Sequence, residues 1–235
     1  MDTLLDIRTE VQRDLSVGNE SAFYTPEDVD AAINRAYRKI GGLYPWPDLE
    51  DAKKTSTQAN IEYYDYPKEW RPNSIWKLVV DGVRYGEDPD GSPLTYNDYM
   101  LFREDEPTST DKKWVNQWRR YFIYPVPTTT GSYNIEVWGI NNVTSLDEDE
   151  DITIFSYAQP EVNEAVALEA AAILRTKGQE QKSGQLLSAE AKAIVTTAWT
   201  RIKKSKAKYE KDQPFFNVPD YFARTSSTKI GKFDI

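Results

Sequence analysis

The sequence contains no cysteine. Disulfides, thiolate nucleophiles, zinc ribbons and iron–sulfur ligation are therefore closed to it. Histidine is absent as well. That removes the usual general base at neutral pH and, with it, Ser-His-Asp and Cys-His catalysis. No glycine-rich phosphate loop occurs: Gly139, Gly178 and Gly184 stand apart, and Gly-Lys is never followed by Ser or Thr. Long apolar runs are missing too. The most apolar stretch, residues 165–174, carries Glu169 and is too short to cross a bilayer. The opening Met1-Asp2-Thr3-Leu4-Leu5-Asp6 is acidic, unlike a secretory signal. The expectation is a soluble chain, made and kept in the cytosol, with no membrane partner.

Positive charge is the minority sign. Lys and Arg number 29 against 38 Asp and Glu, a net charge of −9, so the chain is no general nucleic-acid binder, which needs clustered cations. What remains for chemistry is carboxylates, Lys, Tyr and backbone. A glycosidase uses two carboxylates, but no pair here is marked as lying in a cleft. The expectation is no enzyme, no catalytic residue, no metal and no cofactor. The acidic run Asp147-Glu148-Asp149-Glu150-Asp151 lacks the glycine of a calcium loop at its sixth position, which is Ile152, and reads as a solvated loop. Asp88-Pro89-Asp90-Gly91 reads as a turn.

Aromatic residues are plentiful: 7 Trp, 15 Tyr and 8 Phe among 235 residues supply bulk for the core of one large domain or two small ones. Leu4, Ile7, Val11 and Leu15 share one helical face, and Gly18-Asn19 ends that run. Thr25-Pro26-Glu27-Asp28 is a helix start, followed by Val29, Ile33, Ala36, Tyr37 and Ile40 at helical spacing and stopped by Gly41-Gly42. From about residue 58 to 142 short β-prone runs replace that spacing. They include Ile61 to Tyr64, Ile75 to Val80 with a tight Asp81-Gly82 turn into Val83, Trp114 to Trp118, Tyr121 to Tyr124, and Tyr133 to Trp138. Residues 95–102 read as a short helix. Helices return after the acidic run: an Ala-rich one over 162–174, apolar nearly all round, and a long one with Leu187, Ala191, Ile194, Ala198 and Ile202 on its core face. The fold class is α+β. N- and C-terminal helices form a bundle, with an inserted antiparallel β region and an extended C-terminal tail. The expected boundaries are 1–57, 58–145, 146–210 and 211–235.

Taken in order, these pieces resemble the head–tail adaptor (connector) proteins of tailed bacteriophages. The resemblance runs through Tyr24-Thr25-Pro26-Glu27-Asp28-Val29, Ile33-Asn34-Arg35-Ala36-Tyr37-Arg38, Tyr44-Pro45-Trp46 and Trp70-Arg71-Pro72. It continues through Trp118-Arg119-Arg120-Tyr121-Phe122-Ile123-Tyr124-Pro125-Val126-Pro127 and Tyr133-Asn134-Ile135-Glu136-Val137, and closes on the Ala-rich helix. It implies a structural virion protein of the neck, assembled in the host cytoplasm. Twelve copies would form a ring docked on the portal protein and joined to a tail or nozzle protein. Genome DNA would pass the lumen without sequence-specific binding. A neighbouring neck ring, a stopper or tail terminator, is the alternative within the same setting.

The candidate docking residues fall in two groups. Arg201, Lys203, Lys204, Lys206 and Lys208 crowd one helix end in an acidic protein. Such cations suit a helix C-terminus, and they also suit an acidic partner such as a neighbouring subunit or the portal rim. Phe215, Phe216, Tyr221, Phe222 and Phe233 punctuate a tail with Pro214 and Pro219. That is too aromatic for a solvated linker and points to burial on a partner. A third reading, from a different class, is a carbohydrate-binding β module that stacks sugars on Trp114 and Trp118; against it, both side chains fill the core side of the sheet.

Overall fold

The hydroxyl of Thr3 accepts the Asp6 backbone N–H (3.3 Å) while the Asp6 carboxylate accepts the Thr3 N–H (3.0 Å), a reciprocal cap that starts α1 (Leu4–Ser16). Thr25 caps α2 (Pro26–Leu43): its hydroxyl accepts from the Asp28 N–H, and Pro26 occupies the first helical position. A 3-10 turn (Pro47–Leu49) leads to the strands β1 (Glu50–Ser56), β2 (Tyr63–Asp65), β3 (Lys77–Val80) and β4 (Val83–Arg84). Then come α3 (Tyr96–Glu104), β5 (Lys113–Gln117), β6 (Arg120–Tyr124), β7 (Asn134–Ile140), α4 (Glu161–Lys177) and α5 (Gln181–Asp212). These assignments come from a computed structural model that describes residues 3–16, 24–86, 93–105, 107–131 and 134–212. The Gly18-Asn19 stop, the Asp88–Gly91 turn, Tyr133 and the aromatic tail lie outside the described residues.

The chain divides into two units. The helical unit joins Met1–Leu49 to Val143–Gln213, and the β unit is Glu50–Asn142. The α+β class read from the sequence is thus the observed one. Its boundaries fall earlier than expected at both ends of the β region, because β1 begins at Glu50 rather than near residue 58.

In the helical unit α4 is the central rod, packed on by α1, α2 and α5. Val162, Ala165, Val166, Ala167, Ala170 and Ala171 are fully buried. Alanine lets the neighbouring backbones approach closely, which an all-round apolar helix requires. Leu4, Ile7, Val11 and Leu15 of α1 are buried as their spacing predicts, each burial contributing about 1.5–3 kcal/mol. Trp46 and Phe155, outside the helices, join Trp199 of α5 in an aromatic knot: Trp46 meets Phe155 edge-on at 5.0 Å and Trp199 at 5.7 Å. The Asn34 side chain donates to the Leu146 carbonyl and accepts the Leu146 N–H, both at 2.8 Å, fixing where the chain re-enters this unit.

Two helical expectations need correction. Gly41 does not stop α2, which runs to Leu43. Gly41 is instead a point of close approach, where any β-carbon would collide with Val143. Among the described side chains of α5 the buried apolar ones are Ala191, Val195, Ala198 and Trp199, while Leu187, Ile194 and Ile202 are only half-buried. The core face is rotated toward Val195 and Trp199, because the aromatic knot draws Trp199 inward.

The β unit stacks two antiparallel sheets. One has the order β1-β7-β3-β4 and the other β2-β6-β5. Leu78, Val80, Ile135 and Val137 of the first meet Tyr64, Trp114, Tyr121 and Ile123 of the second in one buried cluster. The opposite face of the second sheet, Val115, Phe122 and Tyr124, is covered by Tyr99, Tyr96 and Phe102 of α3. Asp81 and Gly82 form the two-residue β3–β4 turn with φ of 51° and 76°, the doubly positive geometry that asks for Asp-Gly. Gly139 leaves room for the buried Trp70 ring, which a β-carbon there would strike.

Candidate partner-docking surfaces

The basic run begins at Arg201 on α5, and the helix presents its described members, Arg201, Lys203 and Lys204, unequally. The Arg201 guanidinium donates to the Glu161 carboxylate in the first turn of α4, so its charge is largely spent inside the unit. The Lys203 ammonium lies 5.8 Å from the centre of the Trp199 ring, a cation–π contact that anchors its stem. Lys204 is exposed and makes no ion pair among the described residues. With Arg201 and three threonines, Thr196, Thr197 and Thr200, it lines a shallow open depression. The three hydroxyls each donate to the carbonyl four residues back, leaving their lone pairs toward solvent. Lys206 and Lys208 continue the helix, but their side chains lie outside the described residues. Phe215, Phe216, Tyr221, Phe222 and Phe233 lie outside the described residues altogether.

A second groove of the helical unit is lined by Arg35, Glu169, Thr176, Gly184, Gln185 and Ser188. Glu169 is the buried carboxylate of the Ala-rich helix, 6% exposed. Its two oxygens are both taken, by the Lys39 ammonium at 2.5 Å and the Ser188 hydroxyl at 2.8 Å. A carboxylate with both oxygens engaged compensates its own burial. It ties α2, α4 and α5 together through Lys39 and Ser188.

The acidic run 147–151 is built into the fold as well as solvated. The Asp151 carboxylate accepts the backbone N–H groups of Glu148 and Asp147 at 2.9 and 2.7 Å, which holds its carboxyl below the usual range. Asp149 takes the Arg8 guanidinium at 2.9 Å, and Arg8 also grips Asp30 through two bonds of 2.8 and 3.0 Å. Among the described residues no group of three His, Cys, Asp or Glu side chains could hold a metal ion, and no helix is long and apolar enough to cross a membrane.

The two tryptophans of the β unit part company. Trp114 is fully buried between the sheets, whereas Trp118 is 76% exposed. The strand alternation that puts both on one face ends at Gln117. Trp118 belongs to the β5–β6 turn, with φ of +57°. A two-tryptophan sugar platform is therefore not formed, and neither do both side chains fill the core. Sequence reasoning missed the Asn34 clamp and the Glu169–Lys39 pair, since nothing in spacing alone says which polar side chain turns inward.

No protein-family model matches this chain, and no curated protein matches it in sequence.

Proposed function

We propose that this protein is a structural adaptor of a tailed-phage neck, forming a ring that docks on the portal and connects it to the tail. The observation that carries this reading is the architecture: a four-helix body built round a central Ala-rich helix, with a β unit inserted between α2 and α4. That is the element order the resemblance implies. The polar groups described above support an assembly role. Glu169, Arg8, Asp149 and Asn34 are each committed to holding segments together. The exposed Lys204 and the half-exposed Lys203 give an acidic chain a local positive end that suits an acidic partner surface. A lumen with net negative charge would repel DNA phosphates and ease passage of the genome.

The test is direct. Purified chain mixed with isolated portal rings is followed by electron microscopy and sedimentation. The expected result is an added ring of density on one portal face. A chain that stays apart from the portal under low salt, with portal integrity verified, overturns the proposal.

A further inference from the structure

The β5–β6 hairpin carries a residue that neither the core nor the basic run uses. Gln117 pairs with Arg120, so Trp118 and Arg119 are the entire turn. Trp118 holds φ at +57° and is 76% exposed, the most of any large hydrophobic side chain among the described residues. Turns of this length are ordinarily given to Gly or Asn at positive φ, and a bulky side chain there is an outlier. Backbone strain of this sort is a sign of function when the surroundings enforce it. They do so here. The Asn73 N–H donates to the Trp118 carbonyl at 2.9 Å, and the Tyr66 N–H to the Arg119 carbonyl at 2.8 Å. The Arg119 guanidinium forks onto the carbonyls of Pro67, Lys68 and Trp70 at 3.0, 2.9 and 3.2 Å. An indole is thus held out to solvent on a rigid base, the arrangement of a pre-organised interface anchor.

The surroundings of the anchor carry a basic excess: Asp65 and Glu69 are engaged by Arg120 and Lys53, which leaves Lys68 and Arg119. Lys68, Arg119 and Arg120 are exposed. Arg119 is held by neutral carbonyls and makes no ion pair among the described residues. Arg120 is balanced by Asp65 at 3.0 Å. The fitting counterpart is an apolar spot rimmed by carboxylates, and the helical unit displays one. Leu5 is 48% exposed, and its N–H donates to the Asp149 carbonyl at 3.2 Å. It therefore borders the exposed side chains of Asp147, Glu148, Asp149 and Glu150.

We propose that Trp118 of one copy docks beside Leu5 and the acidic run 147–151 of a second copy. The two surfaces differ, so the contact is heterologous and repeats from copy to copy, closing a ring when the rotation permits. This rests on the reading of the chain as a ring-forming adaptor and names the contact between its neighbours.

The experiment uses the full chain, alone and on isolated portal, in sedimentation at low salt. Glycine is at ease at positive φ, so Trp118→Gly should melt no lower than the parent while self-association falls at least about tenfold. Lys68→Glu and Glu148→Lys should each weaken association, and the double variant should recover most of it. A photo-cross-linking residue at position 118 should capture peptides containing Leu5 or residues 147–151 of another copy. If Trp118→Gly assembles as the parent does, or if the cross-links map elsewhere, the contact is refuted while the adaptor reading stands. A parent that never self-associates, alone or on portal, overturns both. Binding of soluble oligosaccharides that disappears in Trp118→Gly, with assembly unchanged, makes Trp118 a sugar contact and overturns the proposal.

Discussion

Trp46→Ala should be among the most damaging substitutions in the helical unit. The Trp46 side chain is fully buried. It meets Tyr44, Phe155 and Trp199 edge-on at 5.8, 5.0 and 5.7 Å, and its indole N–H donates to the Ile40 carbonyl at 3.2 Å. Removing a buried aromatic costs about 3–5 kcal/mol through lost transfer energy and the cavity left behind. Loss of three edge contacts, each about 0.5–1.5 kcal/mol beyond area, places this case at the top of that range. The Ile40 carbonyl, close to the C-terminal end of α2, loses a donor, a further loss of about 1 kcal/mol. The sum, about 5 kcal/mol or slightly more, is comparable with the whole stability of a typical domain. Urea unfolding followed by the helical circular-dichroism signal reads the unit that holds Trp46. Trp46→Phe is the control: it keeps a ring in place and forfeits the N–H and part of the volume, so it should cost about 1–3 kcal/mol. A Trp46→Ala midpoint within about 1 kcal/mol of the parent refutes the knot as a support of the fold. So does a Trp46→Phe variant as damaged as Trp46→Ala.

Three further outcomes are expected. Burial pushes the Tyr37 hydroxyl up to about 12 and raises Tyr99 and Tyr121 as well. Unfolded tyrosines ionise near 10, so their contribution is complete below pH 10 and is lost as pH rises through the folded values, at up to about 1.4 kcal/mol per pH unit and group. Denaturant midpoints measured against pH should fall steeply above 10 and less steeply in Tyr121→Phe; parallel curves for the two proteins contradict the assignment. Gly139→Ala drives a β-carbon into the buried Trp70 ring and should destabilise the β unit by about 1–3 kcal/mol or more, whereas Gly82→Ala, in open space at positive φ, should cost about 1–2 kcal/mol from backbone strain alone; thermal melts that rank the two the other way dispose of the clash. Val195→Asp should cost several kcal/mol by burying an unpaired charge, and Ile194→Asp clearly less because its side chain is half-buried; equal losses at the two positions would restore the core face read from spacing.

How far the fold was legible depends on where its information sits. Periodicity at 3.6 residues carries α1 and α2, because one buried stripe decides each of them and the Thr25 cap marks the start of the second; α4 is carried by its nearly unbroken apolar run. Turn chemistry carries the Asp81-Gly82 hairpin, where backbone geometry dictates the residues. β1 has neither signal. Its sequence, Glu-Asp-Ala-Lys-Lys-Thr-Ser, is charged and largely exposed, since it is an edge strand held by seven backbone pairings with β7. Edge strands are defended by such lysines, so the property that protects β1 also hides it. The phase of α5 fails for another reason. Trp199 is drawn in by Tyr44, stacked on it at 4.9 Å, and by Trp46, contacts between segments more than 150 residues apart in the sequence.

The candidate docking surfaces were less legible because a charge or an aromatic has no meaning until its neighbours are known. Arg201 and Lys204 are equivalent letters in a basic run, yet one is spent on Glu161 and the other faces water. Trp114 and Trp118 are equivalent letters in an alternating strand, yet a turn that begins one residue sooner than the pattern suggests buries one and exposes the other. A Trp-Arg pair is a poor turn signal by local rules, so the hairpin's location had to come from the pairing of Gln117 with Arg120. That same mismatch is what makes Trp118 informative. Local rules would place a small residue there, and Asn73, Tyr66 and Arg119 together enforce the geometry that a tryptophan opposes. Where a sequence violates its own local preference and the surroundings sustain the violation, the position is a candidate functional site, and an exposed indole beside Arg119 points that search to an apolar, acid-rimmed surface.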